Sequence, residues 1–321
     1  MNDLQKPLGT PFGPFTAAAE VARNIDLADK TAIVTGGASG LGLETVRVLA
    51  AHGARVIVPA RNVEAATEAL AGIPHVEVAR MELTDPASIS AFAQAFIGRQ
   101  EPLHLLILSA GIMAPPLFRD AEGREGQFAT NHLGHFRLTA ALWPVLKAAG
   151  SARVVVLSSR GHLLPGFDLT DLDFTRRPYD KVAAYAQSKT ANALFALALD
   201  ERGRNHGIRA YSVHPGSIVG NLAKHASREE LEAYGALNPD GTPLIDPARD
   251  KKNVAQGAAT TVWCATAPEL EGIGGVYCED CDIAPIETEG RFGVRPYAAD
   301  PDLAEALWAE TARLTNADLR G

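Results

Sequence analysis

Tyr185 and Lys189 put a phenol and an ammonium four positions apart, on one face of a helix. A free phenol has a pKa of about 10 and is a poor base at neutral pH, but a neighbouring cation favours the phenolate and lowers that value. The pair is therefore a candidate proton donor and acceptor, with Lys189 expected to pull the Tyr185 pKa down. The same spacing is common on half-exposed helices that do no chemistry, so the reading depends on the rest of the chain.

Three stretches supply that context. Thr31-Ala-Ile-Val-Thr35 reads as a buried strand and runs into Gly36-Gly-Ala-Ser-Gly40-Leu-Gly42, after which Leu43, Val46, Leu49 and Ala50 recur with helical period. Such a turn lets backbone approach a pyrophosphate at the helix N-terminus, where free N–H groups and the dipole favour anions. Glycines that merely save space are the alternative. Val154-Val-Val-Leu157 is an apolar strand ending at Ser158-Ser159, and Ile208 to Val213 is another, stopped by His214-Pro-Gly216. Strand ends are where sheets of this kind keep their chemistry.

The elements that must position these residues follow in order. Pro7, Gly9, Pro11, Gly13 and Pro14 predict a surface arm within residues 1–27, with a short helix from Thr16. Further strands are expected at Ala54–Val58, Val76–Ala79, Leu103–Leu108 and Gly275–Cys278. Asn62 caps a helix to about Leu70, Asp85-Pro86 opens one to about Gly98, and a long helix from about Arg124 to Lys147 carries Asn131. Tyr185 and Lys189 lie on a helix ending near Arg204, Asn253 to Thr266 is helical, and Asp300-Pro301 caps a last helix. The pattern is α/β: one doubly wound, Rossmann-type parallel sheet of seven strands with helices on both faces. A catalytic domain is expected over 28–285, with the turn-rich stretch of about 217–250 as a loop over the site and an extension over 286–321. Leu303, Leu307, Trp308 and Leu314 form an apolar stripe that must face its own domain or another subunit of a homo-oligomer.

A hydrophobic content of 46% in 321 residues supports one sizeable core. The formal charge of −8 argues against a broad nucleic-acid or anionic-membrane surface and leaves room for one local phosphate pocket. Three cysteines are too few for a disulfide framework, and no charged segment precedes an apolar signal core, so the cytoplasm is the expected compartment. The most apolar run, Leu103 to Met113, is too short to span a bilayer. Cys278-Glu-Asp-Cys281 has the spacing of half a zinc or redox motif, but no second pair accompanies it and no metal is expected. His132 and His135 lack a third ligand and are read as packing, while His162 is read either as pocket lining or as an exposed loop residue.

Taken in order, Thr35-Gly-x-x-x-Gly40-x-Gly42, Asn131, Ser159, Tyr185-x-x-x-Lys189 and Pro215-Gly216 resemble the short-chain dehydrogenase/reductase family over about residues 28–280. Asn131-His-Leu-Gly-His-Phe and Tyr185-Ala-Gln-Ser-Lys-Thr-Ala-Asn192 are most similar to its retinol dehydrogenase and WW-domain oxidoreductase branch. The resemblance implies hydride exchange between a nicotinamide dinucleotide and an alcohol or carbonyl, with Tyr185 passing a proton to or from the substrate oxygen. It implies that Lys189 also holds the nicotinamide ribose and that Ser159, with Ser158 as the competing assignment, bonds the reacting oxygen. Asn131 would hold a water that relays protons from Lys189; its alternative is a helix asparagine bonding backbone. Cofactor contacts would come from Gly36, Ser39, Gly40, Leu41 and Gly42, from Arg61, Glu82, Leu83, Ala110 and Gly111, from Tyr185 and Lys189, and from Pro215, Gly216 and Ile218.

At the end of the second strand Ala60 stands where an acid would select NAD, and Arg61 beside it can fork onto a 2′-phosphate. NADP(H) is therefore expected over NAD(H), although the glycine turn brings no second basic residue. Three positions depart from the family pattern. Ser109 replaces an asparagine that ties neighbouring strands, Glu82 stands for an aspartate, and Gly220 or Asn221 replaces a hydroxyl residue. The apolar loop Gly161 to Phe167 and the segment Leu222 to Leu237 predict a mainly apolar substrate, in line with the retinoid and steroid substrates the resemblance implies. Two other readings are a sugar-nucleotide epimerase or dehydratase, which usually has another glycine spacing, and a dinucleotide-sensing binding protein, which tends to lose the tyrosine or lysine.

Overall fold

The computed structural model describes residues 4–220, 222 and 227–319. Its strands are β1 (Thr31–Thr35), β2 (Arg55–Ala60), β3 (Val76–Arg80), β4 (Leu105–Leu108), β5 (Ala152–Leu157), β6 (Ile208–Val213), β7 (Val276–Glu279) and β8 (Asp282–Ile283). They form one sheet in the order β3-β2-β1-β4-β5-β6-β7-β8. Every neighbouring pair is parallel except β7 with β8. The order reverses between β1 and β4, and a crevice opens outside the C-terminal ends of strands at such a switch point. β1 and β4 are buried along their whole length, which is why both read as continuous apolar runs rather than alternating ones.

The helices are α1 (Ala18–Val21), α2 (Gly40–Ala51), α3 (Val63–Ala69), α4 (Pro86–Ile97), α5 (Gly126–Phe128), α6 (Gly134–Ala148), α7 (Lys181–Gly203), α8 (Arg228–Ala233), α9 (Val254–Thr266) and α10 (Pro301–Thr315). One sheet face packs Ile33, Leu106 and Val156 against Phe92, Phe136, Phe195 and Trp308. The other packs Val34, Ile107 and Tyr211 against Val46, Leu49 and Trp263. Burial of these side chains supplies the main driving force, at about 1.5–3 kcal/mol each.

The sheet has eight strands where seven were expected, and the extra one explains the C-x-x-C spacing. Asp280 and Cys281 both have positive φ, 52° and 60°, joining β7 to β8 by a two-residue hairpin turn. The Cys281 backbone N–H donates to Thr260 Oγ1 at 3.1 Å. The motif is a turn, with all three cysteines buried as free thiols.

The expected helix from Arg124 to Lys147 is also divided. Glu125 caps α5 with its own carboxylate, and residues Ala129–Leu133 form a wide π turn before α6 begins. Asn131 sits in that wide turn. Turns of this kind inside helices occur often at functional sites, because they displace one residue out of the regular ladder.

Both ends of the chain join the fold. Gln5 is buried and completes the hydrogen bonding of the sheet edge: its amide donates to Tyr277 O (2.9 Å) and Ala284 O (2.6 Å) and accepts from Tyr277 N (2.8 Å). At the other end Leu307 and Trp308 of α10 are buried against the chain's own domain, Trp308 lying 4.8 Å from the Phe136 ring. The apolar stripe therefore finds its partner within the same subunit.

Candidate active site

The glycine turn is built as a cradle. Gly36 has φ +68°, and a Cβ there would lie 2.9 Å from Ala110 Cα; one at Gly42 would lie 2.3 Å from Gly36 O. Only glycine lets β1, the β4 end and α2 approach this closely. Ser39 is the N-cap of α2 but gives no side-chain cap, leaving the first N–H groups of the helix facing the turn. These features fit a dinucleotide pyrophosphate. Leu41 and Ile218 meet over Gly257, where a Cβ would lie 2.7 Å from each, so the turn and the segment after Pro215-Gly216 close on one another.

The side-chain tie between the ends of β1 and β4 comes from Thr35 rather than from Ser109. The Thr35 hydroxyl accepts from Ala110 N at 3.0 Å and reaches Ile107 O at 3.4 Å and His135 Nε2 at 3.0 Å. His132 bonds Thr311 of α10 at 2.9 Å. Burial drives both rings' pKa down, to about 3 for His132 and about 4 for His135, in keeping with packing roles.

Tyr185 and Lys189 stand on α7, whose start is fixed by Asp180 accepting from Val182 N (2.9 Å) and Ala183 N (2.7 Å). The middle of α7 is covered by the sheet on one side and by α10 on another, leaving Tyr185 8% and Lys189 4% exposed. Burial pushes the Tyr185 phenol up to about 12, with the nearby Ser159 hydroxyl acting the other way. Burial pushes Lys189 down to about 8. The expected lowering of the phenol by the lysine is thus overturned. Lys189 Nζ lies 5.6 Å from the centroid of the Tyr185 ring and donates to Leu157 O at 2.9 Å.

The two serines separate cleanly. Ser158 Oγ donates to Lys189 O at 2.8 Å and is buried, whereas Ser159 is half-buried, its hydroxyl accepting from Gly161 N at 3.0 Å where Gly161 also faces the Tyr185 ring. Asn131 accepts from Ile112 N (2.9 Å) and donates to Ile112 O (3.0 Å) and Ser188 Oγ (2.9 Å). The backbone-bonding alternative is therefore realised, and it pins the segment after Ala110-Gly111 against α7. A Cβ at Gly111 would lie 3.2 Å from Asn131 Oδ1 and 3.7 Å from Lys189 Nζ, so all three converge.

His162 is neither pocket lining nor an exposed loop residue. It is buried, with Nδ1 2.7 Å from Ser159 O and Nε2 accepting from Arg295 N at 3.3 Å. Burial lowers its pKa to about 3.

At the far end of the crevice Arg61 is 74% exposed and its Nε lies 3.6 Å from Glu82 Oε2, joining two of the residues expected to meet the adenosine. Glu82 also accepts from Thr84 N at 3.2 Å, and Leu83 is buried with its carbonyl against Gly134. Arg80 adds a second guanidinium, donating from Nη1 to Arg61 O at 3.2 Å. It escaped the sequence reading because only the β2–β3 register, which pairs Ala60 with Arg80, brings it there. Pro215 and Gly216 are placed by the stop of β6; Gly216 has φ +97° and packs on Lys252. Asn221 and residues 223–226 of the expected apolar segment lie outside the described residues. Among the described residues no group of three His, Cys, Asp or Glu is placed to hold a metal ion, and no helix is long and apolar enough to cross a membrane.

Comparison with known proteins places the chain in a family. The short chain dehydrogenase family model matches residues 30–231. A protein named probable oxidoreductase from Streptomyces lividans is 43% identical over 88% of this chain and 97% of its own length. The WW domain-containing oxidoreductase of Danio rerio is 39% identical over 93% of this chain and 71% of its own. Retinol dehydrogenase 12 of Homo sapiens is 36% identical over 94% and 90%. The chain therefore belongs to the short chain dehydrogenase family, as an oxidoreductase of the branch that holds the retinol dehydrogenases and WW domain-containing oxidoreductases.

Proposed function

We propose that the protein is an NADP(H)-dependent alcohol dehydrogenase or carbonyl reductase acting on a mainly apolar substrate, with residues 28–285 as its catalytic unit. The observation that carries the reading is the convergence of Ser159, Tyr185 and Lys189 next to the end of β5: a Cβ at Gly161 would lie 3.2 Å from the Tyr185 ring and 3.6 Å from Ser159 Oγ, and Lys189 Nζ is 5.6 Å from the ring centre. When bound, the nicotinamide supplies or accepts the hydride. Ser159 holds the substrate oxygen and stabilises the charge that develops on it. Tyr185, high in pKa, keeps its proton through the neutral range and gives it to that oxygen in reduction, recovering one from solvent afterwards; taking the proton from an alcohol in oxidation requires its phenolate form. Lys189 offers its donors to the ribose. Asn131 holds the Ile112 backbone and keeps one carbonyl lone pair for the relay water.

Gly36, Ser39, Gly40, Leu41 and Gly42 take the pyrophosphate, while Pro215, Gly216 and Ile218 line the nicotinamide end. Arg61 and Arg80 together support the choice of NADP(H). The exposed side chains of Leu164 and Tyr234 support an apolar substrate. The cytoplasm is kept as the compartment, supported by three buried free thiols.

Following NADPH absorbance against bulky aromatic and alicyclic ketones, aldehydes, sugars and short hydroxy acids tests the reading. Bulky apolar carbonyls are expected to give the fastest consumption. Faster turnover of sugars would overturn the substrate class, and no turnover with any carbonyl would leave a dinucleotide-sensing protein in place of the enzyme.

A further inference from the structure

We infer that Asp250 is a positioning residue for this reaction: one buried carboxylate fixes the turn carrying Ser159 against the Pro215-Gly216 turn and against the stem of the substrate loop. Asp250 is 1% exposed and meets three partners. It accepts from Arg160 Nε at 2.8 Å and Nη2 at 3.3 Å, from His214 Nε2 at 3.0 Å and from Ser217 Oγ at 3.0 Å. Arg160 follows Ser159 directly, His214 precedes Pro215, and Ser217 follows Gly216.

The bonds close a ring. Arg160 N donates to His214 Nδ1 at 3.2 Å, which leaves the other ring nitrogen to donate to Asp250. Arg160 is thus gripped by its backbone through His214 and by its guanidinium through Asp250, so the peptide leaving Ser159 has little freedom. The same residue closes the 217–250 loop: Ser217 N donates to Asp250 O at 2.8 Å, and Lys252 N to Ser217 O at 3.1 Å. Asp250 holds φ +66° to do this, in the left-handed region that residues other than glycine adopt uncommonly.

Stability alone is a weak reason for the arrangement. Arg160, Asp250 and Glu279 are all buried charges, Arg160 Nη1 lying 3.0 Å from Glu279 Oε2, and well-packed apolar groups often hold a fold as firmly as buried ions. Directional bonds add position. The C-terminal extension covers the cluster, with Arg291 O accepting from Arg160 Nη1 at 2.6 Å and the Phe292 ring 4.4 Å from the guanidinium.

The inference rests on the reading that Ser159 bonds the substrate oxygen, and a double-mutant cycle separates the two. Steady-state kcat for carbonyl reduction would be measured for Asp250→Asn, Ser217→Ala, Ser159→Ala and the two doubles with Ser159→Ala. If Asp250 acts by placing Ser159, Asp250→Asn lowers kcat roughly tenfold or more in the parent and has almost no effect in the Ser159→Ala background. Equal fold losses in both backgrounds, or no loss in the parent, overturn it. Should Asp250→Asn fail to fold, Ser217→Ala removes one bond to the same carboxylate; a several-fold loss that disappears without the Ser159 hydroxyl supports the inference, and parental kcat overturns it. Parental turnover in Ser159→Ala alone would overturn the proposed role of Ser159 and this inference with it.

Discussion

Lys189 Nζ stands 5.6 Å from the centre of the Tyr185 ring and gives its hydrogen bond to Leu157 O, so burial rather than mutual pairing sets the acidity of both groups. The consequence is a pH dependence of definite sign. Tyr185, up at about 12, stays protonated through the neutral range, whereas Lys189, down at about 8, loses its charge as pH rises through that value. The kcat/KM for reduction should be flat below about pH 7 and decline above about pH 8. A profile that stays level to pH 10 would show that Lys189 does not titrate in this range.

Replacing Tyr185 with Phe removes one hydroxyl from a packed ring. Fold and cofactor binding should survive while turnover falls by roughly 10²- to 10⁴-fold. Lys189→Ala should lower both turnover and cofactor affinity. Measuring kcat alongside cofactor titration checks both, and turnover of Tyr185→Phe within a few-fold of the parent would remove it from the chemistry.

The two guanidiniums at the end of β2 give a cofactor prediction. Arg61→Ala should weaken NADPH binding by roughly tenfold or more, one charge-assisted contact being worth about 1.5–3 kcal/mol, and leave NADH nearly unchanged. Arg80→Ala should act in the same direction. Parallel titrations with both cofactors decide it; an equal loss for NADPH and NADH would refute the phosphate contact.

Trp308 is buried between Phe136 and Phe195, so Trp308→Ala should cost about 3–5 kcal/mol and lower the melting temperature by roughly 10 °C. Because α10 packs on α7 of its own subunit, the mass in solution should not change. A change of mass with unchanged melting would place the stripe at a subunit interface instead.

The sequence by itself determined what local pattern encodes. Apolar runs bounded by turn formers located the strands, glycines between strand and helix located the cradle, and Tyr185 with Lys189 shared a helix face by spacing alone. What depends on partners distant in the chain was decided only by the folded structure. Ser159 parts from Ser158 because one hydroxyl bonds the Gly161 backbone beside the Tyr185 ring and the other meets the Lys189 carbonyl; neighbouring side chains on a strand end point opposite ways, and sequence does not say which way is inward. The Cys278–Cys281 spacing became a hairpin turn once both central residues took positive φ, which no side-chain pattern announces. The fall of Lys189 and rise of Tyr185 follow from desolvation by elements distant in the chain, and burial of a charge is a property of the packed molecule. Arg80 beside Arg61, and Asp250 beneath Arg160 and His214, are likewise products of strand register and loop return, which join residues that the chain keeps far apart.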